Sequence, residues 1–177
     1  MTIARILFLS LLGSAVFTGC KKNPSRAVLT KEEPQFAVYN FEELEPLLNQ
    51  DDNAIHIVNF WATWCKPCIA ELPVFQEIHD ANKNIDVLFV SLDFPDKMDD
   101  QLKPFIEKQH LTPPVVLLDD SHENDWIPKV DSTWSGAIPA TLIYCGEQRS
   151  FYEQSFTKES LLKELEKFTK QQHYEGY

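Results

Sequence analysis

A single α/β domain, built on a mixed β-sheet with helices on its flanks, is the fold class this sequence predicts. Three observations lead there. Short, near-continuous apolar runs such as Ile55–Trp61 and Val115–Leu118 read as strands buried on both faces. Between them lie segments whose apolar residues recur at helical spacing, the alternation of an α/β fold. Toward the end, Ala140–Cys145 and a strand at 150–154 flank Gly146-Glu147-Gln148 as a hairpin, which brings antiparallel strands into the sheet.

Each element has its own warrant. Phe36–Tyr39 is a candidate strand, and Asn40-Phe41-Glu42-Glu43 is a capping box opening a helix with Phe41, Leu44, Leu47 and Leu48 on one face. Pro46 should shorten or bend that helix. Ile55–Trp61 is a central strand. A helix follows over 65–83 with Ile69, Leu72, Phe75 and Ile78 toward the core, and Pro73 should kink it by crowding the carbonyl of Ile69. Residues 85–92 form the next strand, and 95–110 a helix presenting Met98, Leu102, Phe105 and Ile106. Pro113 and Pro114 punctuate the chain before the strand Val115–Leu118. Residues 119–136 are polar apart from residues such as Trp126 and Trp134 and read as a loop with room for a short helix. After the hairpin, Thr157 caps a helix carrying Leu161, Leu162, Leu165 and Phe168, and the tail 172–177 frays.

The chain of 177 residues carries a formal net charge of −11, which argues against nucleic acid and against electrostatic adhesion to anionic lipid. Its start reads as a secretory signal over 1–19: Arg5 precedes the apolar run 6–17, far short of the roughly 20 residues that span a bilayer. Phe17-Thr18-Gly19-Cys20 resembles the lipobox of bacterial lipoproteins, in which the cysteine is lipidated and becomes the mature N-terminus. An uncleaved anchor, or a secreted protein with Cys20 as a free thiol, is the alternative. Residues 20–35, polar and holding Pro24 and Pro34, read as a tether between membrane and a domain at 36–171.

The chemistry concentrates in Trp64-Cys65-Lys66-Pro67-Cys68. Two cysteines three positions apart, the first at a strand-to-helix junction, form and break a disulfide with little backbone movement. The helix N-terminus offers unpaired N–H groups and a partial positive charge that stabilise a thiolate on Cys65, the reactive form. Half of a zinc site is the competing interpretation, and it needs two more ligands; no second Cys-x-x-Cys or His-x-x-x-His exists in the chain. Cys145, in an apolar run, reads as a small buried hydrophobe.

A wider pattern surrounds the pair. Val58-Asn59-Phe60-Trp61-Ala62-Thr63-Trp64-Cys65-Lys66-Pro67-Cys68 resembles the active-site strand and helix start of the thioredoxin superfamily, with Pro73 where that family kinks the helix. Ser135-Gly136-Ala137-Ile138-Pro139-Ala140-Thr141 is similar to its second signature, an aliphatic residue before a cis-proline. The two motifs lie farther apart than in plain thioredoxin, and the additional αβ element at about 93–119 resembles that of the TlpA/ResA-type membrane-attached proteins. Asn59 replaces the acid that plain thioredoxin places beneath its cysteines, as is common in that subgroup.

The resemblance implies a thioredoxin-like fold and a protein disulfide oxidoreductase, more a reductase than a general oxidase, with no cofactor. Cys65 is then the exposed attacking thiol, and Cys68 the shielded thiol that resolves the mixed disulfide. Glu71 is either a proton acceptor or an ordinary first-turn acid favoured by the helix dipole, and Asp93 is a second candidate acceptor. Lys66 either tunes the potential or is a solvated surface residue, while Pro67 stiffens the turn. Ile138 and Pro139 would hold substrate as an added strand, with Trp64 at an apolar rim and Trp61 in the core. The implied partners are disulfide-bearing or dithiol proteins, apocytochrome c among them, and a membrane electron donor; the protein reads as a monomer facing the periplasm or cell exterior. A peroxidase is disfavoured because Ala62 stands where its hydroxyl should be. Copper delivery through the pair with His110 or His122, and a non-catalytic binding module on the same fold, stay open as alternatives. Metabolic labelling with a lipid precursor should mark the wild type and not Cys20→Ala; equal labelling of both removes the lipoprotein assignment.

Overall fold

The computed structural model describes residues 36–172, so the signal segment, Cys20 and the tether lie outside the described residues, as do 173–177. Six strands form one mixed sheet in the order β1-β4-β3-β2-β5-β6: β1 Phe36–Tyr39, β2 Ile55–Trp61, β3 Ile85–Ser91, β4 Val115–Leu118, β5 Ala140–Cys145 and β6 Gln148–Tyr152. The first four in that order run parallel, and β5 and β6 are antiparallel to their neighbours. The α/β class with a mixed central sheet and flanking helices stands as the sequence implied.

Every residue of β2 is buried. Ile55, Ile57 and Trp61 join one core with Leu72, Phe75, Phe89, Leu161, Leu165 and Phe168. Val58 and Phe60 join the other, with Phe41, Leu44, Leu48, Val90, Trp126 and Trp134. The alternation follows from the period of two along a strand. Helices α2 Lys66–Ala81, α3 Lys103–Gln109 and α5 Lys158–Gln172 cover the first face; α1 Phe41–Leu44 and α4 Glu123–Val130 cover the second.

The capping box forms as expected: Glu43 N–H donates to Asn40 Oδ1 and Asn40 N–H to Glu43 Oε2, both at 3.0 Å. At Pro46 the α-helix gives way to the 3₁₀ turn Glu45–Leu48. Helix α2 begins one residue later and ends two earlier than expected, with Cys65 as its N-cap and Asn82 Nδ2 donating to the Ile78 carbonyl at 2.8 Å. Ile69 on that helix is only half-buried, while Leu72, Phe75 and Ile78 are buried.

Three expectations need correction. The helix at 95–110 is three pieces: a 3₁₀ turn Pro95–Lys97, a wide turn Met98–Leu102 closed by Lys103 N–H on the Met98 carbonyl, and α3. Pro104 has no N–H to give its preceding turn, so the hydrogen-bond ladder slips there by one residue. The short helix for which 119–136 had room is α4, as expected, and its Trp126 is buried. Strand β6 starts two residues earlier than expected, because Gly146-Glu147 is a two-residue turn with Gly146 at φ 55° and Cys145 paired to Gln148. Helix α5 runs through Gln172, one residue into the expected tail, and its Leu162 faces outward.

Trp134 anchors the second core. Its ring lies 4.7 Å from Phe60, 5.5 Å from Phe151 and 5.7 Å from Trp126, centroid to centroid, and its Nε1 donates to the Ala137 carbonyl at 2.8 Å. Trp134→Ala should therefore destabilise the fold by about 3–5 kcal/mol. Urea denaturation midpoints measure it, and a loss under about 1 kcal/mol would show that this corner collapses without cost.

Candidate active site

At the carboxyl end of β2 the chain turns through Ala62 and Thr63 and enters α2 at Cys65. Cys65 N–H donates to the Ala62 carbonyl at 3.1 Å, and Ile69 N–H to the Cys65 carbonyl at 3.1 Å, so the first helical turn is closed around the cysteine. Cys65 and Cys68 are joined by a disulfide with Cα atoms 5.3 Å apart. Cys65 Sγ also accepts the Cys68 backbone N–H at 3.3 Å, one of the helix's orphan donors. Pro67, in the first turn, has no N–H to leave unsatisfied there.

The pair sits deeper than expected. Cys65 is 6 % exposed and Cys68 0 %, so the sequence reading of Cys65 as an exposed thiol is corrected. The order survives, since Cys65 alone of the two meets solvent. The burial has a local cause: Cys65 Sγ lies 3.8 Å from the Ile138 carbonyl oxygen, across the cis Ile138–Pro139 peptide. Pro139 is buried, Ile138 half-buried, Lys66 and Pro67 exposed. Trp64 is exposed, whereas Trp61 is wholly buried against Phe105 and Phe89 at 5.4 and 6.3 Å, the core role expected of it.

Beneath the cysteines runs a buried polar chain. Asn59 stands directly opposite Thr141 in the β2–β5 register, and its Nδ2 donates to Thr141 Oγ1 at 3.1 Å and to Glu71 Oε1 at 2.8 Å. Glu71 Oε2 accepts the Phe156 backbone N–H at 2.6 Å. Asn59 Oδ1 is buried without a partner. Glu71, one turn beyond Cys68, is 2 % exposed, which removes the reading of it as a solvated first-turn acid. Burial raises its pKa above the ordinary carboxylate range, and the two donated hydrogen bonds only partly oppose that.

Asp93 has a different job from the one its position suggested. Its carboxylate accepts Thr63 N–H at 3.0 Å, Thr63 Oγ1–H at 2.5 Å and Ser91 Oγ–H at 2.8 Å. It ties the end of β3 to the loop just before Cys65 rather than waiting as an open proton acceptor. Sequence reasoning missed Thr141, Ser91, Thr63 and the Phe156 amide as parts of the site; only Thr141, inside the cis-proline signature, and Thr63, inside the run that leads to Cys65, left a trace in the sequence. His110 ends α3 and His122 pairs with Asp120 at 3.1 Å, and among the described residues no group of three His, Cys, Asp or Glu is arranged to hold a metal ion. Cys145 is half-buried against the first core.

The sequence matches the AhpC/TSA family over residues 30–144. The chain belongs to that family. It is 30 % identical over 172 residues to the thiol-disulfide oxidoreductase ResA of Bacillus cereus (strain ZK / E33L), covering 93 % of this chain and 94 % of that protein. Against ResA of Geobacillus thermodenitrificans (strain NG80-2) identity is 25 % over 169 residues, with 93 % and 92 % covered. Among solved structures it is similar to a thioredoxin-related protein from Neisseria meningitidis serogroup B, at 22 % identity and a TM-score of 0.56 over 67 % of this chain and 87 % of that one. A DsbF homologue from Corynebacterium diphtheriae is similar at 18 % and 0.55, over 66 % and 73 %. These two likenesses establish the thioredoxin-like fold. Together with the bridged Cys-x-x-Cys pair, the relationship to ResA makes this AhpC/TSA-family chain a thiol–disulfide oxidoreductase that acts on disulfide-bearing proteins.

The raised Glu71 pKa carries a stability consequence. The folded state holds that proton more tightly than the unfolded chain does. The stabilising contribution is therefore fully present below the ordinary carboxylate range and is lost as pH rises through the folded value. Urea midpoints of the oxidised protein between about pH 4 and 8 should fall with pH, and Glu71→Gln should flatten the slope. An unchanged slope in the variant would remove Glu71 as its source.

Proposed function

We propose that this protein is a membrane-tethered reductase of protein disulfides facing the periplasm or cell exterior, with Cys65 as attacking and Cys68 as resolving sulfur. The observation that carries the roles is the difference between the two sulfurs: Cys65 caps the helix and meets solvent, while Cys68 is fully enclosed. In the reduced protein the Cys65 thiolate attacks one sulfur of a substrate disulfide. A Cys65–substrate S–S bond forms, the substrate S–S bond breaks, and the departing thiolate takes a proton. Cys68, deprotonated, then attacks Cys65 Sγ and releases the second substrate thiol. Two electrons pass to the substrate, and the protein is left with the Cys65–Cys68 disulfide.

Glu71 is the acid–base group for Cys68 in this scheme, one helical turn away and retaining its proton to higher pH than a surface carboxylate. Asn59 and the Phe156 amide orient it. Lys66, on the exposed face of the first turn, supports a thiolate by its charge. The Ile138–Pro139 segment, with its carbonyl beside Cys65 Sγ, pairs with the substrate backbone as an added strand, and Trp64 forms part of the rim.

The reductive direction rests on thiolate energetics. Strong oxidants of this chemistry owe their potential to a stabilised reduced form. Here Cys68 is buried among apolar groups with a carboxyl one turn away, surroundings that disfavour a second negative charge. A dithiol donor associated with the membrane resets the pair, lipid on Cys20 holds the monomer near it, and apocytochrome c is the substrate to try first.

The equilibrium potential of the pair against a glutathione series, read by Trp fluorescence, tests the direction. A value below the glutathione couple is expected; one above it makes the protein an oxidant or isomerase. In the same preparation Cys68→Ser should accumulate mixed disulfides with a substrate protein and Cys65→Ser should not turn over. Unaltered turnover in either removes the assigned roles.

A further inference from the structure

Phe94, 65 % exposed, and Trp64, 57 % exposed, are the two most exposed of the large apolar side chains among the described residues. Single exposed hydrophobes need no explanation, but these two are held together by the chain. Trp64 follows Thr63 and Phe94 follows Asp93, and the Asp93 carboxylate grips the Thr63 N–H and hydroxyl. The sheet order adds a second constraint. Strand β2 lies between β3 and β5, with Trp61 opposite Ser91 on one side and Phe60 opposite Ala140 on the other. The exit of β2, which carries Trp64 and Cys65, is thus bracketed by Ile138–Pro139 beyond β5 and by Asp93-Phe94 beyond β3.

Phe94 is also presented on stiff backbone. Asp93 before it is buried and bonded to Thr63 and Ser91, with its own N–H donating to Ser91 Oγ at 3.1 Å. Pro95 after it restricts Phe94 to extended backbone, observed at φ −68° and ψ 136°. Residues 95–97 and 99–101 are exposed and polar apart from Pro95. An aromatic ring held out to water on a fixed backbone is preorganised for contact, since little ordering entropy remains to be lost on binding.

We propose that Phe94 is a specificity-determining residue of the disulfide exchange. With Trp64 it receives an aromatic or large aliphatic side chain two positions from the reacting cysteine of an extended substrate segment. The proposal rests on Cys65 as attacking sulfur and Ile138–Pro139 as the pairing edge. A segment paired at Ile138 with its cysteine over Cys65 advances about 3.3 Å per residue with side chains on alternate faces, so the residue two positions along shares the cysteine's face and lies toward Trp64 and Phe94. The occupant is therefore part of the same polypeptide that carries the disulfide, and the recognition chemistry is apolar contact two residues from a cysteine.

The test uses the full-length reduced protein and two disulfide-bonded peptides that differ only at the positions two residues before and two residues after the reacting cysteine, Phe in one and Ala in the other. The ratio of the second-order rate constants with which the two peptides oxidise the reduced protein, followed by Trp fluorescence, is the readout, because a structural disturbance would lower both together. Wild type should prefer the Phe peptide, and Phe94→Ala should reduce that ratio by about fivefold, the scale of one aromatic contact. Phe94→Tyr should retain it, and so should Val38→Ala, which trims an exposed hydrophobe on the edge strand β1. A wild-type ratio near one, a Phe94→Ala ratio equal to wild type, or an equal fall in Val38→Ala overturns the proposal. Absence of reaction with either peptide sinks the underlying assignment of Cys65, and this inference with it.

Discussion

The removal of β2 from water on both faces is the constraint from which the rest of the molecule follows. Seven consecutive residues, Ile55–Trp61, are buried, so the sheet must be covered on each side and neither helical layer is dispensable. The side chains sort by parity into two cores, one under α2, α3 and α5 and one under α1 and α4. Emerging from that strand, the chain has only a short loop before α2. The loop delivers Cys65 to the helix N-terminus with its Sγ against a cis-proline segment from β5.

Two positions in that strand, His56 and Asn59, break the apolar rule, and the second is the hub of a buried polar network beneath the cysteines. Asn59 is fully buried and answers to Thr141 across the ladder and Glu71 on the helix, while its own carbonyl oxygen has no partner. Unsatisfied and partly satisfied polar groups in a low-dielectric interior are costly, and they persist where function uses them. Glu71 is held in the interior by the same network and also satisfies the Phe156 amide. A carboxyl that keeps its proton more readily than a surface acid is thereby stationed one turn from the fully enclosed Cys68.

A second polar anchor works from the other side. Asp93 uses one carboxylate to fasten the end of β3 to the loop before Cys65, and the exposed Trp64 and Phe94 each follow directly on a residue of that clasp. The site therefore has three walls of different character: the cis-proline backbone, the bridged cysteines, and two aromatic rings facing water. Their arrangement is a property of strand order, since β2 lies between the strands that carry the other two.

Local pattern was enough for much of this. The two-sided burial of β2, the capping box at Asn40, the cysteine pair at a helix start and the Ile138–Pro139 signature were all legible because each rests on neighbours in the sequence, where spacing and residue type act directly. The boundaries that went astray have equally local causes hidden from periodicity. Pro104 splits the helix expected at 95–110, and Gln148 and Arg149 open an edge strand but look like a turn until the Arg149 guanidinium is seen above Tyr144 at 5.2 Å and bonded to the Leu48 carbonyl at 2.8 Å. Tertiary structure alone decided which polar groups meet: Asn59 with Thr141, 82 positions away, Glu71 with the Phe156 amide, and Asp93 with Thr63. It also decided that Cys65 is nearly enclosed and that Glu71 is interior. A sequence specifies a residue's chemistry and its near neighbours, but burial and long-range hydrogen bonding are set by how the strands are ordered, and that order exists only once the sheet has closed over both cores.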